Sequence, residues 1–599
     1  MREYSTPLDR SRGVVPATGN LTDDVVANAR DHGDEAVLAR RGADGVWHDV
    51  TAAQFLAEVR GVAKGLVAAG VQPGDRVALL SRTRYEWTLL DYATWFAGAV
   101  GVPVYETSSS DQLGWILEDS GATAVVVETR GHASRVAPHR ERLPDLHHVW
   151  TIDDGAVDVL TRLGGDVSDA ELEARRTRAT PLDLATLVYT SGTTGRPKGC
   201  ELTHGNFLVE LGVAVDELDE LFEAEGASTL LFLPLAHVFA RIVQVGCVKA
   251  RVRLGHSADA ARLVEDLGDF RPTFVLAVPR VFEKVFNTAS QRAAADGRGA
   301  LFDRAAETAI AWSKAIDKGR PSPVLRARHA FFSRVVYGRL RQALGGRCQY
   351  AVSGGAPLGE RLGHFYRGIG LTVLEGYGLT ESTAALTVNL PDAQKVGTVG
   401  RPLPGTAVRV ADDGELLFRG GQVFSGYWRN EEATAEVLGR DGWLRTGDVG
   451  EVDDEGFVRI TGRKKEILVT AGGKNVAPAV LEDRLRAHAL VSQCMVVGDG
   501  RPFVAALVTI DDEVFEAWAA QRGKTGRVAD HVEDPDLLAA VQDAVDDANA
   551  AVSKAEAIRR FAVLPEDWTE EAGHLTPSLK LRRAVVLREH RHEVDALYR

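Results

Sequence analysis

Tyr189-Thr-Ser-Gly-Thr-Thr-Gly-Arg-Pro-Lys-Gly199 is the stretch from which this chain is read. It follows a buried-strand pattern, Leu184–Thr190, and precedes a helical one. Gly192 and Gly195 let the backbone approach an anion closely. Thr190, Ser191, Thr193 and Thr194 supply hydroxyls, and consecutive amides with hydroxyls make an anion-binding nest. Lys198 adds a positive charge. The segment lacks the Gly-Lys-Ser/Thr of the common nucleotide loop. It reads as a different phosphate-binding turn at a strand end.

Working outward, short apolar runs alternate with amphipathic stretches through the first three quarters of the chain. Strands are expected at Arg76–Ser81, Thr123–Val127, Leu184–Thr190, Thr229–Leu233, Thr273–Val278 and Leu371–Leu374. Phe207, Leu208, Leu211, Val215, Leu218 and Phe222 recur at helical spacing. This alternation implies parallel sheets covered by helices. After Pro402 the texture changes. Val408–Val410 and Glu415–Phe418 flank Asp-Asp-Gly, and Gly450–Val452 and Phe457–Ile460 flank Asp-Asp-Glu-Gly, both hairpin patterns. Beyond Arg463 come an expected helix at Val480–Ala489, strands at Ser492–Val497 and Phe503–Ile510, and an acidic helix at Asp536–Lys554. A helix-rich segment, Phe282–Leu344, sits inside the large unit. The predicted class is α/β. Residues 1–462 form a large N-terminal domain of helix-covered mixed and parallel sheets with a β-rich subdomain, and residues 463–599 form a small α+β domain.

Composition agrees with two domains, because 599 residues with 45% apolar content exceed what one core serves. A net charge of −14 disfavours nucleic acid as a partner. Cys200, Cys247, Cys348 and Cys494 are scattered, which suits a reducing compartment and gives no zinc pattern. The N-terminus MREYSTPLDRSRGVV lacks the apolar core of a signal peptide. The apolar stretch Tyr92–Val104 is shorter than the roughly 20 residues that span a bilayer. These features place the protein in the cytoplasm and leave peripheral membrane contact and oligomeric state open.

Further segments carry chemistry. Gly376-Tyr-Gly-Leu-Thr-Glu-Ser382 follows an apolar strand, and a carboxylate beside a hydroxyl at a strand end can hold hydrated Mg²⁺ against a phosphate. The small residues of Ser353-Gly-Gly-Ala-Pro357 let a flat base lie on the backbone. Asp441–Asp448 and Gly462–Lys465 offer a carboxylate suited to ribose hydroxyls and a guanidinium suited to hydroxyls or phosphate. Ala471-Gly-Gly-Lys-Asn-Val-Ala-Pro478 is glycine-rich. Gly573–Arg583 places Lys580 near the chain end. His237 follows a strand within Leu233–Phe239. Arg588–Glu593 superficially suggests a metal site, but His590 and His592 would not share a helix face, so a solvated terminal helix is expected.

These segments, in this order, resemble the adenylate-forming superfamily of acyl-CoA synthetases, luciferases and adenylation domains, from about Phe55 onward. Within it the chain is most similar to bacterial, particularly actinobacterial, long-chain fatty acyl-CoA ligases. The resemblance implies ATP, Mg²⁺ and coenzyme A as co-substrates or cofactors and a fatty acid as substrate. It assigns ATP or AMP binding to Thr190, Ser191, Gly192, Thr193, Thr194, Gly195, Lys198, Gly354, Gly355, Ala356, Pro357, Glu375, Gly376, Tyr377, Gly378, Asp448 and Arg463. Thr380, Glu381 and Lys580 take catalytic roles, with Glu381 and Thr190 at the metal. His237 borders the acyl group. Lys465 is the hinge of a mobile C-terminal domain, and Gly472, Gly473 and Lys474 line the thiol acceptor's path. The loop after Arg463 is one residue longer than in luciferase-type members. Many members read Thr-Gly-Lys where this chain reads Pro-Ser-Leu-Lys580, the form of the long-chain ligases. Two alternatives remain: an acyl-AMP ligase serving a carrier protein, and a non-enzymatic nucleotide-binding relative. The presence of Lys198, Glu381 and Lys580 argues against the second.

Overall fold

The computed structural model of this protein describes residues 2–5, 13–190, 196–259, 262–576 and 580–599. Ser191, Gly192, Thr193, Thr194 and Gly195 therefore lie outside the described residues.

Two large sheets organise the N-terminal portion, with strands drawn from residues 36–427. The seven-stranded sheet runs Gly426–Tyr427, Lys198–Thr203, Leu184–Thr190, Val100–Val104, Arg76–Leu80, Ala122–Val127 and His148–Thr151. The nine-stranded sheet has Ser228–Leu231, Phe274–Ala277, Tyr350–Ser353 and Thr372–Tyr377 as parallel neighbours. One hydrophobic cluster joins residues of both sheets to the helices Ala52–Ala68, Tyr85–Phe96 and Val238–Ala250. Tyr85–Phe96 is buried on all sides except Glu86, as an interior helix must be when it is apolar all round. The Tyr92–Val104 stretch is thus the end of that helix, a turn, and the strand Val100–Val104. Among the described residues no helix is long and apolar enough to cross a membrane.

At the centre of this core lies a charged pair. Arg241, 1% exposed, donates Nε to Asp91 Oδ2 at 3.0 Å and Nη1 to the Thr186 hydroxyl at 2.5 Å. Trp87 and Trp95 flank the guanidinium at 5.6 and 5.1 Å. Gln244 also donates to Asp91.

A five-stranded antiparallel sheet, Arg2–Ser5, Ala407–Val410, Glu415–Arg419, Leu444–Val452 and Val458–Arg463, makes the β-rich portion. Its hairpins fall at the expected turns, with Val410 opposite Leu416 and Val452 opposite Val458. From Val476 onward two hydrophobic clusters form without residues of the large sheets. They surround Val491–Val497, Val504–Ile510 and Ile558–Val563. This portion rests on the larger one through Arg280, whose guanidinium donates to the Ser492 carbonyl at 2.7 Å, and Arg361, which donates to the Ala487 carbonyl.

Three expectations need correction. The 189–199 segment does not lead into a helix: Lys198–Thr203 is a strand antiparallel to Leu184–Thr190, with Val188 opposite Cys200. Cys200 and Leu202 are fully buried on one face, a period of two that the glycines obscured, and the helix begins at His204 behind a Thr203 cap. The acidic helix is Pro535–Asn549 and stops short of Lys554. The terminal helix breaks at His590, whose Nε2 accepts the Trp568 indole N–H at 3.2 Å, so that histidine packs inward.

Removing either partner of Asp91–Arg241 leaves a charge alone in the core. Asp91→Ala is expected to destabilise the large domain by about 3–5 kcal/mol, read from its urea midpoint. A loss below about 1 kcal/mol, as for an exposed pair, would show that the pair does not hold the core together.

Candidate active site

Parallel strands open their carboxyl ends toward a common cleft, the usual place for a ligand in such sheets. Tyr350–Ser353 and Thr372–Tyr377 pair in register, Ser353 against Glu375. They feed the 354–358 and 378–385 loops side by side. Gly354 is buried against Phe239, and a Cβ there would lie 3.1 Å from its ring, whereas Gly355, Ala356 and Pro357 are exposed. Glu375 is buried and its carboxyl accepts the Leu358 amide at 3.1 Å, supporting that loop from behind. Burial pushes its pKa up to about 7.

The 378–385 loop is tightly folded. A Cβ on Gly378 would fall 1.4 Å from the Ala384 carbonyl oxygen, so no other residue fits. Thr383 and Ala384 have φ of 60° and 137°, a strained backbone that the surroundings must impose. They do so from several sides. Thr383 donates to the Gln422 carbonyl at 2.7 Å, and the Glu381 carbonyl accepts from the Phe424 amide at 2.9 Å. The Ala385 amide donates to Glu210 Oε1 at 2.8 Å.

Glu381 itself accepts the Tyr427 hydroxyl at 2.6 Å. The Lys198 ammonium lies over the Tyr427 ring, 5.0 Å from its centre. Burial and the Glu381 charge raise the Tyr427 pKa far above the ordinary phenol value, which keeps it a donor. Thr190, at the strand end, lies opposite Lys198 in register.

The β-rich sheet delivers Asp448 and Arg463 as a cross-strand pair. Arg463 Nε is 2.8 Å from Asp448 Oδ1, and the Tyr377 hydroxyl donates to Oδ2 at 2.6 Å. Tyr377 is held against Phe418. Lys580 reaches the same cleft from the C-terminal portion. Its residue as a whole is exposed, but protein atoms crowd the ammonium, and this desolvation, then the Arg463 charge, lower its pKa, while Asp448, Glu381 and Glu466 oppose them. His237 caps the helix Val238–Ala250, its Nδ1 accepting the Phe239 amide at 3.2 Å. Burial, then the Lys580 charge, lower its pKa to about 4, so it is neutral at physiological pH.

The structure thus brings together Thr190, Lys198, the 354–357 loop, Tyr377, Thr380, Glu381, Asp448, Arg463, Lys580 and His237. It does not bring in Gly472, Gly473 and Lys474, the residues expected along the thiol acceptor's path, or the expected hinge residue Lys465. Gly472 and Gly473 are exposed on the turn joining Leu468–Val469 to Asn475–Val476. Lys474 faces Glu556 at 3.5 Å, and Lys465 is exposed beside Lys464, which pairs with Asp413. Two residues of the cleft were missed from the sequence. Tyr427 sits in a two-residue strand with no motif around it, and Glu210 reads as an ordinary polar position on an amphipathic helix. Among the described residues no cluster of three or more His, Cys, Asp or Glu could cage a metal.

An AMP-binding enzyme family model matches residues 25–428, and a model of the AMP-binding enzyme C-terminal domain matches residues 465–599. The chain is 52% identical over 606 residues to the long-chain-fatty-acid–CoA ligase FadD15 of Mycobacterium bovis, covering 100% of both chains. It is 29% identical to the long-chain-fatty-acid–CoA ligase ACSBG2 of Xenopus laevis, over 95% of this chain and 82% of that one. Among solved structures, the anthranilate CoA ligase AuaEII in complex with anthranoyl-AMP superposes with a TM-score of 0.73 at 20% identity, over 96% of this chain and 98% of that one. ATP-bound MatB from Rhodopseudomonas palustris gives 0.69 at 24% identity, over 96% and 99%.

Glu210 generates a sharp pH expectation. Burial raises its pKa to about 8, and its Oε2 has no hydrogen-bond partner among the described residues. In the unfolded chain the same carboxyl ionises near its ordinary value. The folded state therefore loses stability as pH rises through that window, by about 1.4 kcal/mol per pH unit. Glu210→Gln keeps an acceptor for Ala385 and removes the ionisation. Its thermal midpoint should gain on the wild type progressively between about pH 5 and about pH 8. A difference that stays constant with pH would mean Glu210 is already ionised in the fold.

Proposed function

Because the chain belongs to the AMP-binding enzyme family, we propose that it is a long-chain fatty acid–CoA ligase that forms an acyl-adenylate and then an acyl-CoA. The observation that carries this reading is the convergence of Lys580, Arg463, Asp448 and Glu381 on one cleft. Full-length similarity to long-chain-fatty-acid–CoA ligases supports the acyl and thiol specificity.

A carboxylate has no leaving group, so its oxygen must first act as the nucleophile. It attacks the α-phosphorus of ATP, a P–O bond forms, the α–β phosphoanhydride breaks, and pyrophosphate leaves. The protein's task is alignment and neutralisation of charge building on phosphate oxygens. Lys580 bridges the carboxylate and the α-phosphate. Lys198 and residues 190–195 hold the outer phosphates, and Thr380 contacts the α-phosphate. Asp448 accepts the ribose hydroxyls with the lone pairs that Tyr377 and Arg463 leave free. The 354–357 backbone and Tyr377 flank the adenine. Neutral His237 borders the acyl carboxylate without adding charge.

Glu381 and Thr190 fit a hydrated Mg²⁺: one Glu381 oxygen accepts Tyr427 and the other is left for the ion. One carboxylate, a hydroxyl and substrate phosphates are the usual donors for this ion, which needs no protein cage. When bound, it would neutralise pyrophosphate charge.

In the second half-reaction the coenzyme A thiolate attacks the acyl carbonyl and AMP departs. We assign the hinge to Lys465, with the chain beyond it rotating so that Lys580 withdraws and Gly472, Gly473 and Lys474 approach. ATP and coenzyme A place the reaction in the cytoplasm.

The test uses purified protein with ATP, Mg²⁺ and a panel of fatty acids, with and without coenzyme A, followed by mass spectrometry. Acyl-CoA with equal AMP is expected. Acyl-AMP accumulating without thioester would overturn coenzyme A as acceptor. Lys580→Ala should lower acyl-AMP formation by about two orders of magnitude or more. It should leave thioester formation from supplied acyl-AMP within a few-fold. Equal losses in both steps would contradict the withdrawal of Lys580.

A further inference from the structure

Between Asp317 and Glu360 the chain has no Asp or Glu, while Lys or Arg occurs eight times. This sits in a protein whose net charge is −14. The segment folds as the helix Pro323–Phe332, a π-turn at Ser333–Tyr337 and the helix Gly338–Ala343. Ser322 caps it, accepting the Leu325 amide at 3.3 Å, and Pro323 takes the first helical position.

Its inner face is firmly seated. His329 is 2.7 Å from the Gly368 carbonyl and stacks on Trp312 at 4.1 Å. Tyr337 donates to the Ala305 carbonyl at 2.7 Å, and Phe332 is buried. The outer face is therefore presented by an anchored element. Along it run Val324, Phe331 and Val335, 70%, 55% and 40% exposed. Their spacing of seven and four puts them on one helix stripe. Arg328, Arg334 and Arg339 are exposed around that stripe, and none makes an ion pair or a side-chain hydrogen bond among the described residues. Phe331 and Arg328 also line a shallow notch of about 600 Å³, where Glu307 of the neighbouring helix is the one carboxylate.

Apolar side chains on a helix crest, flanked by unpaired guanidinium groups, match neither a buried core nor a solvated face. Large apolar groups exposed on an anchored surface mark an interaction site, and local positive charge on an acidic body selects an anionic partner. A helix of this make-up lies in the plane of a lipid headgroup layer, apolar stripe down and arginines on phosphates. We propose that the 323–343 segment docks this protein on an anionic membrane surface. The docking stands on the surface itself. Its use rests on the proposed function: a long acyl chain partitions into bilayers, so docking brings the enzyme to its substrate.

The full-length protein would be cosedimented with vesicles of phosphatidylcholine alone and of phosphatidylcholine mixed with phosphatidylglycerol. Binding to the anionic vesicles only, weakening as salt is raised, is expected. The triple variant Arg328→Glu, Arg334→Glu, Arg339→Glu should lose binding by roughly tenfold or more. Phe331→Ser with Val335→Ser should weaken it and flatten the dependence on lipid packing. Both variants should keep the wild-type thermal midpoint and the wild-type rate on a short, water-soluble acid. Failure of the wild type to bind anionic vesicles, or equal binding by the triple variant, would overturn the proposal. So would selective capture of an acidic protein that excludes vesicles. Loss of the catalytic assay with vesicle binding intact would count against the function alone.

Discussion

The buried contact between Asp91 and Arg241 ties together the parts that the cleft needs. Arg241 belongs to the helix that starts behind His237, and its second hydrogen bond goes to Thr186, on the strand that ends at Thr190. Asp91 lies on the interior helix between the two sheets. One guanidinium therefore fixes the helix that starts behind His237 against the strand that ends at Thr190. Burying two charges is costly, and the cost is offset only when every donor and acceptor is engaged. Here Thr186, Gln244 and two indole faces complete the shell. The site inherits its relative positions from that requirement.

Around it, the cleft is assembled from groups that constrain one another. Tyr427 holds Glu381 and underlies Lys198, while Tyr377 and Arg463 hold Asp448. Strain at Thr383 and Ala384 is sustained by bonds to Gln422 and Glu210. Such preorganisation suits a reaction in which the protein supplies alignment and charge rather than covalent steps. Lys580 is the exception. It reaches the cleft from the C-terminal portion, which meets the large portion through polar contacts such as Arg280 to Ser492 and Arg361 to Ala487. Interfaces of that kind permit the rotation proposed for the second half-reaction.

The amino-acid sequence by itself determined the class of the fold and singled out most of the residues that the structure gathers around the cleft. Alternating strands and helices, the hairpin signals around Asp412-Asp-Gly414 and Asp453-Asp-Glu-Gly456, and the ordered segments from Tyr189 to Lys580 are local patterns, and local patterns survive in one dimension. Element ends were less legible: Lys198–Thr203 is a strand because it pairs with Leu184–Thr190, and pairing is not local. The tertiary structure alone decided the rest. Glu210 is an unremarkable helix position until burial leaves its carboxyl facing the Ala385 amide, and Tyr427 gains its role only when a two-residue strand lands beside Lys198–Thr203. Burial, strain and shifted pKa values depend on which distant segments meet, and that is set by packing in three dimensions rather than by neighbours along the chain.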